Sequence, residues 1–479
     1  MKALIFEEHS SVLPHWWAQR ARARTLVYFD AHLDLQYVGP GRIGRLEQCA
    51  SVAQVAALEK PHDLHPDAGY SYSLENFLYP AARLGLIGRL VWVAPPHVRA
   101  GHAALAIREL QKMDGVAMED LLSFRRVDGR IEGRLMGLEV VMCGLEQLRE
   151  LALPADSLLD LDADYFVEVP GDRPWTDPRE VIDVLHALPA RTDCLTISRS
   201  VSSGFMPLRL RFYADYLAAL WERRQDEADH YARLYALDLR LGAGEREAVA
   251  RALQAEAARW PSCAATWHLL ALAQAGAAEA ADSHARAVAI SPAYAPSVLR
   301  AACEIRNRRL AADLAQVMQL GRQLRDLAGT ERALASAAVG LLCCRFGDVS
   351  SARACYRQAA SALATQGELA LEIAELLLRA ERPDEAGEFL AAALESDKSR
   401  SAALSFLGHL CARGGRLPEA RRHLEEAHRS APCWREPLAL LERVYRQAGN
   451  DRLAGECAAR IAVLREQEGT LQRQLAPAA

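Results

Sequence analysis

The sequence predicts two kinds of fold in one chain: an α/β three-layer sandwich on a mostly parallel sheet, followed by an all-α solenoid. Three observations lead to this prediction. Short apolar runs alternate with helical patterns up to about residue 225, strand signals then vanish as Ala, Leu and Arg dominate, and a 34-residue register organises the C-terminal half. A chain of 479 residues is also too long for a single hydrophobic core.

Six short apolar runs are the predicted strands, at 3–6, 26–29, 90–94, 138–143, 157–161 and 194–198. They are apolar on both faces, which is typical of strands in a covered parallel sheet. Helices are predicted between them, near 12–22, 75–87, 101–112, 177–188 and 207–222. This βαβα order predicts a three-layer domain, in which ligands bind at the carboxyl ends of the strands. The glycine-rich stretch 39–44 is predicted to be a loop.

The C-terminal half repeats itself when it is written in blocks of 34 residues that start at 333, 367, 401 and 435. Small residues recur at fixed positions of the blocks, as expected where two antiparallel helices must approach closely. Position 8 holds Gly340, Ala374, Gly408 and Glu442, position 20 holds Ala352, Ala386, Ala420 and Ala454, and position 27 holds Ala359, Ala393, Ala427 and Ile461. A degraded earlier repeat is expected near residue 264.

This pattern resembles the tetratricopeptide repeat, whose period is about 34 residues. Block 401–434 matches best, and a generic helical bundle is the alternative. The resemblance implies an extended concave surface that binds a peptide or a partner protein. The alternative role is a dimerisation or solubility module.

Composition excludes several classes of function. The formal net charge of −5 argues against nucleic acid as a partner. No apolar run approaches the ~18 residues of a membrane span, and Glu7 and Glu8 come too early for a signal peptide. The 11 cysteines are scattered without a C-x-x-C pair, which predicts reduced thiols and a cytoplasmic protein.

Two runs of acidic and histidine residues carry the chemistry. Asp30-Ala31-His32-Leu33-Asp34 follows one predicted strand, and Asp160-Leu161-Asp162 ends another. In an extended segment alternate residues point the same way, so each run gathers its polar groups on one side. Carboxylates that converge at strand ends repel one another unless a cation lies between them. The runs therefore predict a metal site.

The ligand types indicate which metals fit. Aspartate oxygen together with histidine nitrogen suits Mn²⁺, Fe²⁺ or Zn²⁺ better than Ca²⁺. His9, which follows the first predicted strand, adds one more imidazole. The candidate ligands, His9, Asp30, His32, Asp34, Asp160 and Asp162, are enough for two cations that share and acidify one water. The alternative is structural: aspartates that cap helices and a histidine in the core.

Three motifs resemble, in order, the metal motifs of the arginase and ureohydrolase superfamily: Glu-Glu-His-Ser at 7–10, Asp-Ala-His-Leu-Asp at 30–34 and Asp-Leu-Asp at 160–162. That resemblance implies an arginase-like fold and two Mn²⁺ held by the six ligands above, with Fe²⁺, Co²⁺ or Zn²⁺ as other possibilities. The continuation differs, because arginases follow Asp-x-Asp with Gly-x-Asp-Pro and this chain has Ala163-Asp164-Tyr165-Phe166.

A finer resemblance, over about residues 3–215, is to a divergent branch that includes the peptide arginases of ribosomal peptide (RiPP) pathways. Its marks are the segments 30–35, Glu75-Asn76-Phe77, 91–96, 159–166 and 196–200. Those enzymes convert arginine residues of a precursor peptide to ornithine. The expected domains are therefore an arginase-like metallohydrolase at 1–228, tetratricopeptide repeats at 229–470 and a tail at 471–479.

The resemblance also suggests site roles beyond the metal ligands. Asp34 is the expected proton carrier beside its metal role, and Glu75 pairs either with a guanidinium or with a Lys or Arg at a helix start. A proton relay is assigned to His97, with His62 and His65 as the other candidates. Arg199 either anchors the substrate or, as we prefer, supports Asp162 from behind.

The expected function is hydrolysis of the arginine guanidinium in a peptide to ornithine and urea, with the repeats holding the peptide. One alternative is a metal-dependent amidohydrolase or deacetylase of another substrate, and a second is a non-enzymatic repeat scaffold with a structural metal site. The sequence leaves the oligomeric state open.

Overall fold

The computed structural model describes residues 1–20, 22–99, 109–169, 171–189, 194–308 and 310–476. In this part of the chain, eight strands form one mostly parallel sheet in the order β1-β10-β7-β2-β3-β6-β5-β4, and β8 and β9 form a small hairpin sheet. The strands are β1 (Lys2–Phe6), β2 (Arg24–Phe29), β3 (Ile87–Val93), β4 (Arg125–Val127), β5 (Arg130–Leu135), β6 (Leu138–Cys143), β7 (Leu158–Asp162), β8 (Val167–Glu168), β9 (Arg173–Pro174) and β10 (Cys194–Ser198).

All six predicted strands are confirmed, as β1, β2, β3, β6, β7 and β10. Leu158–Asp162 is buried at every position, which explains its continuous rather than alternating pattern. Strands β4 and β5 were not predicted because their sequences, Arg-Arg-Val and Arg-Ile-Glu-Gly-Arg-Leu, are mainly polar. They pair antiparallel through Asp128 and Gly129, both at positive φ, and Asp-Gly is a strong hairpin signal.

The helices before the repeats are α1 (Leu13–Ala18), α2 (Pro40–Glu47), α3 (Val52–Ala57), α4 (Leu78–Arg83), α5 (Pro96–Arg99), α6 (Met118–Leu122), α7 (Leu145–Leu148), α8 (Pro178–Ala187) and α9 (Tyr213–Trp221). Four of them lie in the ranges predicted near 12–22, 75–87, 177–188 and 207–222. The helix predicted at 101–112 falls mostly outside the described residues.

The loop predicted at 39–44 is wrong. Pro40 starts α2, and Ile43 and Leu46 on this helix are buried. Proline is preferred in the first turn of a helix. Ile43 and Leu46 also have the spacing of one helical turn, but the three glycines among these residues favoured the prediction of a loop.

The rest of the described chain is helical. Its helices are α10 (Gln225–Gly242), α11 (Arg246–Arg259), α12 (Ala264–Ala273), α13 (Ala277–Ile290), α14 (Val298–Asn307), α15 (Leu314–Gln323), α16 (Gly329–Arg345), α17 (Val349–Ala360), α18 (Gly367–Arg379), α19 (Pro383–Ala393), α20 (Asp397–Arg413), α21 (Leu417–Ser430), α22 (Arg435–Gln447) and α23 (Asp451–Leu475). The second helices of the last four pairs begin at 349, 383, 417 and 451, so the predicted 34-residue register is confirmed. The degraded repeat expected near 264 is the pair α12–α13.

The small residues of the repeat register lie where the two helices of a pair approach each other closely. Ala352, Ala386 and Ala420 are fully buried. At Gly408 a Cβ would lie 2.4 Å from Cγ of Leu424 on the facing helix. Small residues therefore recur because a larger one has no room, as the sequence predicted.

Contacts divide the described chain into two compact units. The first contains residues 1–9 and 158–310, and the second contains residues 10–157 and 311–479. The domain limits expected at 228 and 470 stay predictions, and the expected tail at 471–479 lies partly outside the described residues. All eleven cysteines are free thiols, as predicted. None of the described helices combines the length and the apolar character that crossing a bilayer requires.

Candidate metal centre

Strand β7 presents Asp160 and Asp162 on the same face, because alternate residues of a strand point the same way. Asp160 is fully buried and Asp162 is 3% exposed. Asp162 also caps the following 3₁₀ turn, since its Oδ1 accepts a hydrogen bond from the backbone N–H of Asp164 at 3.0 Å. The strand end thus fixes two buried carboxylates and brings a third, Asp164, close to them.

His9, three residues beyond β1, joins the two carboxylates of β7. Its Nε2 lies 2.6 Å from Oδ2 of Asp160, and its Nδ1 lies 3.0 Å from Oδ2 of Asp162. Burial by itself lowers the pKa of His9, but Asp160 and Asp162 raise it well above its ordinary value. The negative charge of the two carboxylates is therefore balanced either by a proton on His9 or by a bound cation.

The pKa of Asp162 shows the same conflict from the acidic side. Burial raises this pKa, and repulsion from Asp164 raises it further, while His9 lowers it. Buried carboxylates this close to one another favour a bound cation. The donor set of imidazole nitrogen and carboxylate oxygen fits a first-row divalent metal.

Two hydroxyl groups, one on strand β10 and one two residues beyond it, support the carboxylates of β7, and the sequence interpretation missed both. Thr196 Oγ1 donates to Oδ1 of Asp160, and Ser200 Oγ donates to Oδ2 of Asp162 at 2.5 Å. The parallel register pairs Thr196 with Asp160 and Ser198 with Asp162. Thr196 and Ser200, four residues apart and close to Asp-x-Asp, were the available signal, because hydroxyl donors orient buried carboxylates.

The segment 30–34 follows β2 but does not continue as a regular strand, because it bends at Ala31 and His32. Oδ1 of Asp30 accepts from the backbone N–H of His32 at 2.6 Å. The hydroxyl of Tyr28 donates to Oδ2 of Asp30 and reaches Oδ2 of Asp34 at 2.9 Å. The hydroxyl of Tyr28 thus contacts two predicted ligands, Asp30 and Asp34, and the sequence analysis did not predict this role.

Burial differs among the ligands of this segment. Asp30 is 1% exposed, and its carbonyl oxygen accepts from Nε1 of Trp92 at 2.9 Å. The His32 side chain is 46% exposed. The segment therefore has a fixed, buried end at Asp30 and a side that solvent reaches at His32.

Two groups of side chains among the described residues could hold a metal ion. They are His9, Asp30 and Asp162, and Asp30, His32 and Asp164, and in each group the ligand atoms lie within 4.8 Å of one another. Within the first compact unit, Asp160 contacts His9; Asp34 belongs to neither group.

The other predicted site residues occupy different environments. Glu75 Oε1 pairs with Nζ of Lys398 at 2.7 Å, a residue at the start of α20. His97 lies in the one-turn helix α5, and His62 Nδ1 lies 2.7 Å from Asp63. Their predicted roles remain predictions. Arg199 makes two hydrogen bonds to Asp215, at 2.7 and 2.8 Å, and its expected role toward Asp162 or the substrate stays a prediction.

Comparison with known proteins yields little. No protein family model matches the chain, and no curated protein matches it. A similar solved structure is that of YrrB, described as a TPR protein with an unusual peptide-binding site; it is 16% identical, with 47% of this chain and 97% of that chain covered and a TM-score of 0.26. Independently of this likeness, the helices of the C-terminal region keep a 34-residue register, which is the period of the tetratricopeptide repeat.

Proposed function

We propose that this chain is a dinuclear-metal hydrolase that cleaves the guanidinium group of arginine residues in a peptide, giving ornithine and urea. The observation that carries the proposal is the buried His9 held between Asp160 and Asp162 at 2.6 and 3.0 Å. A protein gains no stability from two such carboxylates alone, since burying like charges costs free energy. Their chemistry suits a cation.

The proposed ligands are His9, Asp30, His32, Asp34, Asp160 and Asp162, and the proposed metal is Mn²⁺, with Fe²⁺, Co²⁺ or Zn²⁺ as alternatives. When bound, two such cations supply Lewis acidity and lower the pKa of water toward neutral, which a resonance-stabilised guanidinium requires. The reaction adds one water to the guanidinium carbon and breaks its bond to the side-chain nitrogen.

The residues of the chain hold the site in shape for this reaction. Thr196 and Ser200 fix the carboxylates of Asp160 and Asp162, and Tyr28 fixes those of Asp30 and Asp34. Asp34 Oδ1 is the atom we propose to take a proton from water and return it to the departing amine. The exposed side of His32 gives a peptide side chain a way in.

The repeats are proposed to hold the peptide, which raises its local concentration and orients the arginine. Tetratricopeptide-like stacks offer extended surfaces for chain segments. This part of the proposal predicts that an arginine within a peptide is a better substrate than free arginine.

The test is to incubate the Mn²⁺-loaded full chain with arginine-containing peptides, measuring urea release and the loss of CN₂H₂ from the peptide by mass spectrometry. Asp162→Asn should lower the rate at least about 1,000-fold, because the metal's several kcal/mol of barrier reduction depend on its ligands. Asp183→Asn is the matched control, an exposed aspartate on α8. Absence of urea from every arginine peptide, or full activity of Asp162→Asn, would refute the proposal. Two metal ions per chain favour it over a deacetylase with one.

A further inference from the structure

The second compact unit contains a cavity of about 90 Å³. Residues after the 30–34 motif form part of its lining, with Gln36 and Tyr37 only two and three positions beyond Asp34. Gln36 is fixed there by its backbone N–H, which donates to the carbonyl oxygen of Glu75 at 3.3 Å. Residues of the repeats, from the start of α18 and the start of α20, form another part of the lining.

An ammonium group bridges two carboxylates in this cavity. Nζ of Lys398 lies 2.7 Å from Oε1 of Glu75 and 3.4 Å from Oε2 of Glu368. The two glutamates lie on different segments, one before α4 and one on α18. One ammonium group therefore lies between two acids that are far apart in the sequence.

The lining as a whole is acidic. Six carboxylates face three cations, which leaves three negative charges: Asp63, Asp67, Glu75, Glu368, Glu395 and Asp397 against Arg42, Lys60 and Lys398. Arg42 and Lys60 are both engaged by Asp67, at 3.7 and 2.7 Å. Such a lining attracts a cationic ligand.

Gln366 provides an independent observation that points to a ligand. This residue lines the cavity, is 5% exposed, and its Nε2 has no hydrogen-bond partner among the residues that the structure describes. It occupies the N-cap position of α18, yet its side chain makes no capping hydrogen bond. A buried amide donor without an acceptor is unfavourable, and a peptide carbonyl is the acceptor that would satisfy it.

Gly367 makes this arrangement possible. A Cβ at this position would lie 2.4 Å from Cβ of Ser396, so only glycine lets the start of α18 approach the segment that carries Lys398. Gln366 and Glu368 lie directly before and after Gly367, the residue that makes this close contact with Ser396. The cavity is thus built by specific packing between two repeats.

We propose that this cavity is a subsite for an arginine side chain of the bound peptide. The guanidinium displaces the ammonium of Lys398 from between Glu75 and Glu368, and a backbone carbonyl of the peptide accepts from Nε2 of Gln366. A planar guanidinium with five N–H donors satisfies two carboxylates better than an ammonium does. Lys398 is then an internal competitor of the substrate. That the bound peptide is also the hydrolysed one rests on the proposed function.

The test measures binding apart from turnover. Fluorescein-labelled Ala-Ala-Arg-Ala-Ala and the same peptide with citrulline, which has the shape of arginine without its charge, are titrated against the full chain in EDTA by fluorescence anisotropy. Circular dichroism checks that the chain stays folded. The arginine peptide should bind about tenfold more tightly than the citrulline peptide, since hydrogen bonds to charged groups are the strong ones.

Three variants sharpen the result. Glu368→Gln should weaken the arginine peptide about tenfold and leave the citrulline peptide unchanged. Lys398→Gln should tighten the arginine peptide about threefold, because a partly exposed ion pair no longer competes. Gln366→Met should weaken both peptides severalfold. Glu388→Gln, an exposed glutamate on α19, is the matched control and should change neither.

Equal binding of the two peptides, or weaker binding in Lys398→Gln, overturns the subsite. Measuring urea release then tests the proposed hydrolase function separately from the subsite. An unchanged KM in Glu368→Gln with normal turnover removes the subsite and leaves the hydrolase standing. Charge-dependent binding without any urea supports the subsite and removes the hydrolase.

Discussion

The strand ends and the helical repeats bury histidine in opposite ways. His9 lies between two carboxylates that raise its pKa well above the ordinary value. His268, on α12, packs against the ring of Tyr294 at 4.9 Å, and burial lowers its pKa to about 4, with His284 and Arg300 acting in the same direction. One region is organised around charge and the other around packing.

The two regions therefore place different requirements on their residues. At the strand ends the chemical type matters, because Asp160 and Asp162 carry negative charge that must be balanced. In the repeats the volume matters, because Ala352, Ala386 and Ala420 occupy equivalent fully buried positions. Four experiments test this contrast between charge and volume.

Metal addition should have the largest effect. Mn²⁺ at about 100 times its dissociation constant should raise the free energy of unfolding by about 3 kcal/mol, because it binds only the folded chain. The measurement is urea denaturation with and without Mn²⁺. Asp162→Asn should lose this response and the exposed control Asp183→Asn should keep it. Stabilisation that survives in Asp162→Asn would place the metal elsewhere.

Gly408→Ala tests the volume rule in the repeats. The new Cβ would lie 2.4 Å from Cγ of Leu424 and 3.2 Å from the carbonyl oxygen of Ala420. Overpacking of this kind should lower the free energy of unfolding by about 2 kcal/mol, measured as a lower denaturation midpoint. A variant as stable as the parent chain would show that helices α20 and α21 can separate at little cost.

His268→Phe tests the uncharged burial of histidine. The pKa of His268 is about 4 in the folded chain against an ordinary 6.5, so the unfolded state binds the proton first. Its contribution to stability is full above about pH 6.5 and is lost as the pH falls toward 4. The parent chain should therefore lose about 1–2 kcal/mol more than the variant between pH 7 and pH 5. Parallel pH profiles of the two proteins would contradict this.

Gly387→Ala should have the smallest effect and the opposite sign to Gly408→Ala. Gly387 lies within α19, and a Cβ there would meet no atom within 4 Å among the described residues. Alanine should stabilise the helix by about 0.5–1 kcal/mol through backbone entropy and helix propensity. Thermal denaturation monitored by circular dichroism can resolve this, and destabilisation would show that the outer face is packed.

Much of this architecture could be predicted from the sequence. The six strands had uninterrupted apolar runs, and the repeats kept one register over four blocks, so local pattern was sufficient. The hairpin of β4 and β5 was missed because its strands are polar and its signal, Asp128-Gly129, is only two residues long. Helix α2 was not predicted, because the three glycines of the stretch 39–44 favour a loop, although Pro40 is typical of the first turn of a helix.

The candidate site could likewise be predicted only in part. Ligand types were visible in Asp-x-His-x-Asp and Asp-x-Asp. Tyr28, Thr196 and Ser200 act through contacts made between neighbouring strands or at a bend, which the sequence does not show. The bridge from Glu75 to Lys398 joins residues 323 positions apart. Contacts of that range depend on the tertiary fold, which no local pattern encodes.

The in-register pairing of β7 with β10 has a consequence for assembly of the protein. A shift of one residue would set Leu195 and Ile197, rather than Thr196 and Ser198, beside the aspartates of β7. Apolar side chains cannot orient carboxylates, so a misaligned sheet would produce a defective centre. Correct alignment of β7 and β10 during folding is therefore a condition for orienting the buried carboxylates of this candidate centre.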